Sequence, residues 1–302
     1  MKKIIMISLI VAASLLLVGG LIFLVLSLNA DSIFSVTLTE RTQDIPEGIT
    51  SIEVDTEVYD IEVVRASDKP FLKVNENSRR PVMIYTSGTS LVIEEMEDES
   101  IAGFFARAFS RIKDCRITLY IPDTEFDLFD ISTETGNIAI EDSFKAKKTE
   151  LESETGNITL TGASTGALDI STETGNILID SVTALAAEIE TDTGNISLID
   201  SSAESLNAES DTGNLSISNS SVQKSTDIST ATGNVTLNVF SSAGITVETD
   251  TGDVSGRLSC EMIFYARSTT GKVSVPKSTS GGLCDIRSAT GDITFEAPLL
   301  NQ

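Results

Sequence analysis

From residue 129 onward, apolar and polar positions alternate in two short runs, and the same two runs return at a fixed interval. In the stretch from Leu168 to Ser181, Leu168, Ile170 and Thr172 alternate along one run, Thr174-Gly175-Asn176 interrupts, and Ile177 and Ile179 alternate along the next. A period of two marks strands, and the interruption marks a turn. The turn recurs at Gly136, Gly156, Gly175, Gly194, Gly213, Gly233, Gly252, Gly271 and Gly291, at intervals of 19 or 20 residues. A period of this length belongs to a repeat architecture in which each repeat is one supersecondary unit.

Three apolar columns follow the period. Two residues after each Gly stand Ile138, Ile158, Ile177, Ile196, Leu215, Val235, Val254, Val273 and Ile293. Four after it the column is broken only by Gly256, and five before it Ile, Leu, Val or Ala always stands. Equivalent residues of adjacent coils stack at ~4.8 Å, so such columns become aliphatic ladders inside a solenoid. The fold expected is all-β: a single-stranded β-helix of nine regular coils, wound right-handed, with an irregular N-terminal cap. A propeller needs ~40 residues per blade, and the leucine-rich pattern is absent. The recurrent Gly is expected to serve a turn with φ > 0. The Asn after it, at Asn137, Asn157, Asn176, Asn195, Asn214 and Asn234, predicts a ladder of stacked amides, with Asp253 and Asp292 continuing the column and Lys272 as its exception. An unbroken Thr column precedes the glycines.

Residues 51–128 form the expected cap. Within it, Glu57-Val58-Tyr59-Asp60-Ile61 overlays Glu134-Thr135-Gly136-Asn137-Ile138 as a degenerate coil, and strand patterns cover Phe71 to Val74, Val82 to Tyr85, Leu91 to Glu94 and Arg116 to Ile121. Between the last two, Ile101, Phe104, Phe105, Ala108, Phe109 and Ile112 recur at helical spacing, which predicts a helix covering the open end of the solenoid.

The N-terminus has a different pattern. After Lys2 and Lys3, the run from Ile4 to Ala30 carries no charge. It is longer than the ~20 apolar residues that span a bilayer and longer than the ~7–15 of a signal peptide's apolar section. The expectation is a retained transmembrane anchor in residues 1–30, a linker over 31–50, and the body outside the cytoplasm by the positive-inside tendency. The membrane, met through residues 4–30, is then one partner.

Composition narrows the chemistry. The 302 residues include 45 Asp and Glu against 21 Lys and Arg, and no His. Without Lys2 and Lys3, 19 basic residues remain and the exported part carries −26. Such a body repels nucleic acid. The lack of His removes the commonest general base and metal ligand. Cys115, Cys260 and Cys284 are too few for a disulfide framework. Cys260 and Cys284 could pair if neighbouring coils joined them, but free buried thiols are the simpler expectation.

One acidic column invites a metal reading. Glu134, Glu154, Glu173, Asp192 and Asp211 stack two residues before the turn Gly, and a hard cation such as Ca²⁺ on Glu173, Asp192 and Asp211 would relieve their repulsion. Exposed carboxylates repel weakly in water and the Ca²⁺-binding nonapeptide pattern is missing, so a solvated stripe with no bound metal or cofactor is expected.

The anchor, the "IxLYIP" strand from Ile117 to Pro122 and coils of the form [ST]-[DE]-T-G-[ND]-[ILV]-x-[ILV] resemble the bacterial putative-adhesin β-strand-repeat domain family of unknown function. The resemblance implies an envelope protein without a catalytic motif, since members accompany envelope-stress systems of Gram-positive bacteria, including Lia-type operons. The function expected is a non-enzymatic binding, adhesion-like or stress-scaffold module. The alternative is a polysaccharide-acting β-helix enzyme with paired carboxylates, which the near-uniform repeats disfavour because they leave no room for long catalytic loops.

Overall fold

A computed structural model describes residues 38–66, 69–78, 80–96, 115–141 and 143–298. The apolar run from Ile4 to Ala30 and the helical pattern from Ile101 to Ile112 both lie outside these residues. Among the described residues there is no helix, and hence none long and apolar enough to cross a membrane.

The regular coils are β-solenoid turns of two unequal strands. In the coil of Gly194, the long strand Thr183–Thr193 precedes the turn and the short strand Ile196–Ile199 follows it. Each pairs in parallel with its equivalent in the coils on either side, so Ile170, Ile189 and Ala208 stand in one row and Ile177, Ile196 and Leu215 in another. These are the columns the periodicity predicts, and nearly all their members are buried. The apolar exceptions belong to the Gly271 coil, which ends the stack: Val273 is 43% exposed, and Ala266 and Val275 are only partly buried. The interior is filled: the space left among Leu168, Ile179, Ala187, Leu198 and Leu206 amounts to about 10 Å³, less than a water needs.

The overlay of Tyr59 on Gly136 holds, since Val54 pairs with Ile131 and Ile61 with Ile138. The stretch expected as a linker contains a strand, Leu38–Asp44, antiparallel to Phe71–Asn77. The boundary expected at residue 129 cuts the strand Glu125–Thr133, whose long-strand pairing already belongs to the Gly136 coil.

The order of coils departs from the sequence at both ends. The Gly252 coil pairs not with the Gly271 coil but with the last one: Val247 stands beside Ile286 and Val254 beside Ile293. The Gly271 coil lies outside it, with Ala266 beside Ile286. At the other end, Ser51–Thr56 sits between Ser90–Glu95 and Glu125–Thr133, so the first coil of the chain is also second from the end of the stack. Sequential stacking of all nine turns is therefore corrected: Gly291 stacks on Gly252, and Gly271 forms the terminal layer.

A second correction concerns the turn glycines. From Gly136 to Gly271 none has φ > 0, and only Gly291, at φ 154°, does. The constraint is contact. A Cβ on Gly194 would lie 1.7 Å from the carbonyl oxygen of Gly175, and the same clash recurs at 1.7–2.0 Å along the column. Coils held at hydrogen-bonding distance leave no room for a side chain between successive turns.

Left-handed backbone is used at the other corner, after the short strand. Gly162, Ser181, Asp200, Asn219 and Val239 occupy it at φ 73°, 57°, 49°, 51° and 52°. Small polar residues tolerate this region, whereas β-branched Val is strained there.

Two stability predictions follow from these corners. Gly194→Ala should cost at least about 3 kcal/mol, no less severely than a β-branched replacement, because any Cβ must push two coils apart. A thermal midpoint that Ala leaves nearly unchanged would mean the carbonyl does not fill that space. Val239→Asn should stabilise by about 1 kcal/mol, since Val239 is 40% exposed and gives up strain with little burial. Denaturant melts of the two proteins measure it.

Candidate functional site

With a closed interior, any partner must meet an outer face, a corner or an end. The turn corner is tied together by hydrogen bonds along the stack. Asn157, Asn176, Asn195 and Asn214 each donate their side-chain amide to the Oδ1 of the preceding Asn, at 2.9–3.3 Å. The same oxygen accepts the backbone N–H of the next rung at 2.9–3.0 Å. The ladder starts on Asp60, which accepts from Asn137, passes through Asp253 and Asp292, and stops where Lys272 donates its backbone N–H to Asp292. Lys272 is thus no defect in the column. It is the last rung, where no further coil asks for an acceptor.

Sequence reasoning missed a second column, three residues before each Gly. Ser153, Thr172, Thr191, Ser210, Thr230, Thr249, Ser288 and Ser268 donate their hydroxyls to the turn-Gly carbonyl of the neighbouring coil, at 2.7–3.3 Å. The signal was present, since every such position holds Ser or Thr. Their protons are committed to carbonyls, which makes them structural donors.

The long-strand face carries the negative charge. Glu53, Asp130, Glu150, Asp169 and Glu188 form one outward column, and Glu152, Glu190, Glu209 and Glu248 fall in the next. Glu173, Asp192 and Asp211 are exposed beside the turn. Among the described residues, no three carboxylates or thiols come together so as to hold a metal ion. Burial, followed by Glu150 and Glu53, raises the pKa of Asp130. Burial, followed by Glu188 and Glu150, does the same for Asp169, and burial followed by Glu209 for Glu190. Cys115, Cys260 and Cys284 are all free thiols, and burial pushes Cys284 up to about 12.

Among the described residues, the surface carries a cleft and a groove. A cleft of about 360 Å³ at the N-terminal end is lined by Ile45, Ile49, Ile52, Ile121 and Phe126, with Glu47 and Glu125 at its edge. A shallower groove of about 500 Å³ crosses the short-strand face at Asn238, Arg257 and Glu296.

The profile of the family described as Toastrack DUF4097 matches residues 49–296, which spans the whole stack from the Tyr59 coil to the inserted last coil. The chain belongs to this family. A structure from Bacteroides fragilis NCTC 9343, described as a "putative adhesin", is similar over 87% of this chain and 99% of its own, at 16% identity and TM-score 0.50. One from Parabacteroides distasonis ATCC 8503 with the same description covers 85% and 97%, at 13% identity and TM-score 0.51. Another from that organism, described as a "putative lipid binding protein", covers 85% and 97%, at 14% identity and TM-score 0.51. At these identities the likeness carries the fold. Comparison with curated proteins finds no significant match.

The acidic face of this Toastrack domain predicts a pH dependence with a definite sign. A carboxylate whose folded pKa is raised contributes stability that is present below its unfolded pKa and lost as pH rises through the folded value. Mild acidification from pH 7 into the upper carboxylate range should therefore raise the thermal midpoint. The combined change Asp130→Asn, Asp169→Asn and Glu190→Gln should flatten that rise. A midpoint that falls over this window would show that the columns are stabilised when ionised.

Proposed function

We propose that the chain is a membrane-anchored, extracytoplasmic β-solenoid that serves as a non-enzymatic binding, adhesion-like or envelope-stress scaffold. The observation that carries this reading is the uncharged run from Ile4 to Ala30 behind Lys2 and Lys3, which joins a 302-residue chain of otherwise acidic character to a bilayer. The anchor is one N-terminal transmembrane helix, and the solenoid beyond it winds right-handed.

The binding role is supported by how the chemistry is distributed. The chain has no His, the Ser and Thr hydroxyls three residues before the turn glycines are committed to carbonyls, and the carboxylates are spread along columns. What remains for a partner is area: long, regular faces of fixed spacing, one of them strongly anionic. Such a face repels anionic polymers and attracts basic partners, with a reach set by the ~8 Å screening length at physiological salt.

Two measurements on cells test the reading. After fractionation the protein should partition with the membrane and keep its N-terminal 30 residues, and protease added to intact wall-stripped cells should degrade the solenoid. A mature N-terminus at Asp31, or a solenoid shielded from protease until the cells are lysed, would remove the anchor or its orientation.

A further inference from the structure

The two ends of the stack are finished differently. At the N-terminal end both sheets are covered by antiparallel strands: Val82–Ser87 lies on Ser90–Glu95, and Phe71–Asn77 and then Leu38–Asp44 lie on Arg116–Ile121. At the C-terminal end nothing among the described residues lies beyond the Gly271 coil. Its long strand, Met262–Ser268, pairs only with Gly282–Thr290, and its short strand, Val273–Ser274, only with Ile293–Glu296. The short strand is two residues long and is followed by Val275 and Pro276, which blunts that edge. The long strand has seven residues and no Pro, so a row of backbone donors and acceptors faces outward unmatched.

The side chains around this edge differ from those of the rest of the molecule. Ile263, Tyr265 and Leu283 are 41%, 51% and 56% exposed on its outer face. The outward column that holds Glu190, Glu209 and Glu248 turns basic here, with Arg287 on the next rung and Arg267 on the last. Arg267 lies over the Tyr265 ring at 4.9 Å. Among the described residues no carboxylate lies within ion-pair distance of Arg267, Lys272 or Lys277. In a chain with a net charge of −24, three cations without a carboxylate partner, Arg267, Lys272 and Lys277, belong to the terminal coil and the loop after it, where the parallel stack is left open.

We propose that the strand Met262–Ser268 is a docking edge for an extended acidic segment of another protein, which adds as one more strand and sets a carboxylate opposite Arg267. Backbone pairing supplies the fit, and side chains at alternate positions supply the selection: apolar beside Ile263, acidic beside Arg267. Within the stack, Arg287 stands beside Glu248 in register and makes its ion pair with Asp285 at 2.7 Å. A second copy suits the edge less well. Its N-terminal end is closed by antiparallel strands and begins its turn column with Tyr59 in place of Gly, so it cannot stack in parallel. Its C-terminal end would bring Arg267, Lys272 and Lys277 against their own copies.

This inference deepens the reading of the chain as a binding module, and the two fail separately, because fractionation decides the anchor and peptide binding decides the edge. The probe is a fluorescent, end-capped peptide with the sequence of residues 183–193, TALAAEIETDT, which in the register of the stack sets Glu190 beside Arg267. Against the detergent-solubilised full chain, it should bind at least tenfold more tightly than the same peptide carrying Glu188→Lys, Glu190→Lys and Asp192→Lys. Arg267→Glu in the protein should reverse that order, and Ile189→Pro in the peptide should abolish binding by breaking the backbone pairing. Amide exchange should slow selectively over Met262–Ser268. Arg267 is exposed, so its variant folds as the parent does and a matching melt confirms it. Equal binding of the acidic and basic peptides, no binding of either, indifference to Arg267→Glu, or a dimer of the chain held through this edge would each overturn the proposal.

Discussion

The distance between coils is the constraint from which the rest of the molecule follows. Parallel strands joined by backbone hydrogen bonds stand ~4.8 Å apart, and at the turn corner the chain keeps that distance where it also reverses direction. There the carbonyl oxygen of one Gly occupies the place a Cβ on the next would need. A side chain at any one turn would open the stack at that level, and the strands on both sides would lose register with it. The hydroxyl three residues earlier completes the arrangement, because the Gly carbonyl, turned along the stack, meets a buried Ser or Thr from the neighbouring coil. Left without that donor, a buried carbonyl would cost about 1–3 kcal/mol.

A stack of identical layers is weakest at its ends, where a coil has a neighbour on one side only. Here both chain-terminal coils avoid that position. The first lies between two others, and so does the last, so each is paired along both edges. The N-terminal end is closed further by ions. Arg80 sits between Glu57 and Glu95 at 2.5 and 2.7 Å, nearly buried, and Glu95 accepts the backbone N–H groups of Glu57 and Val58 at 2.7 and 3.2 Å. The carboxylate thereby receives donors that a preceding coil would otherwise satisfy. Tyr59 fills the place of the turn Gly, its hydroxyl on the Arg80 carbonyl at 2.5 Å, since nothing has to stack closely beyond it.

Legibility in the sequence followed the range of the interaction. The aliphatic columns, the Asn ladder and the overlay of Tyr59 on Gly136 were visible because each is a repeated local choice. The reason for the glycines was not. Both a positive φ and a forbidden Cβ select Gly, and composition cannot separate them until the neighbouring coil is in place. The left-handed corner was hidden in the opposite way, since Gly162, Ser181, Asp200, Asn219 and Val239 have no shared identity, only a shared backbone angle. The exchanged order of the Gly271 and Gly291 coils left one trace, Lys272 in the Asn column. A rung that accepts nothing need not be an amide, and that anomaly marked the true end of the stack.

Interior coils are interchangeable by construction, so their faces offer regularity, and a partner that recognises one rung recognises several. Specific recognition needs a place where the repetition stops. The N-terminal end spends that opportunity on closure, through antiparallel strands and a buried ion cluster. The C-terminal end keeps a seven-residue edge, exposed Ile263 and Tyr265, and a reversed sign of charge at Arg267. An open edge of this kind invites aggregation, and a net negative body that repels its own copies at long range lowers that risk without covering the edge. Charge on the faces and chemistry at one end thus belong to one design: the acidic columns keep copies apart, and the basic edge remains free for a segment of opposite sign.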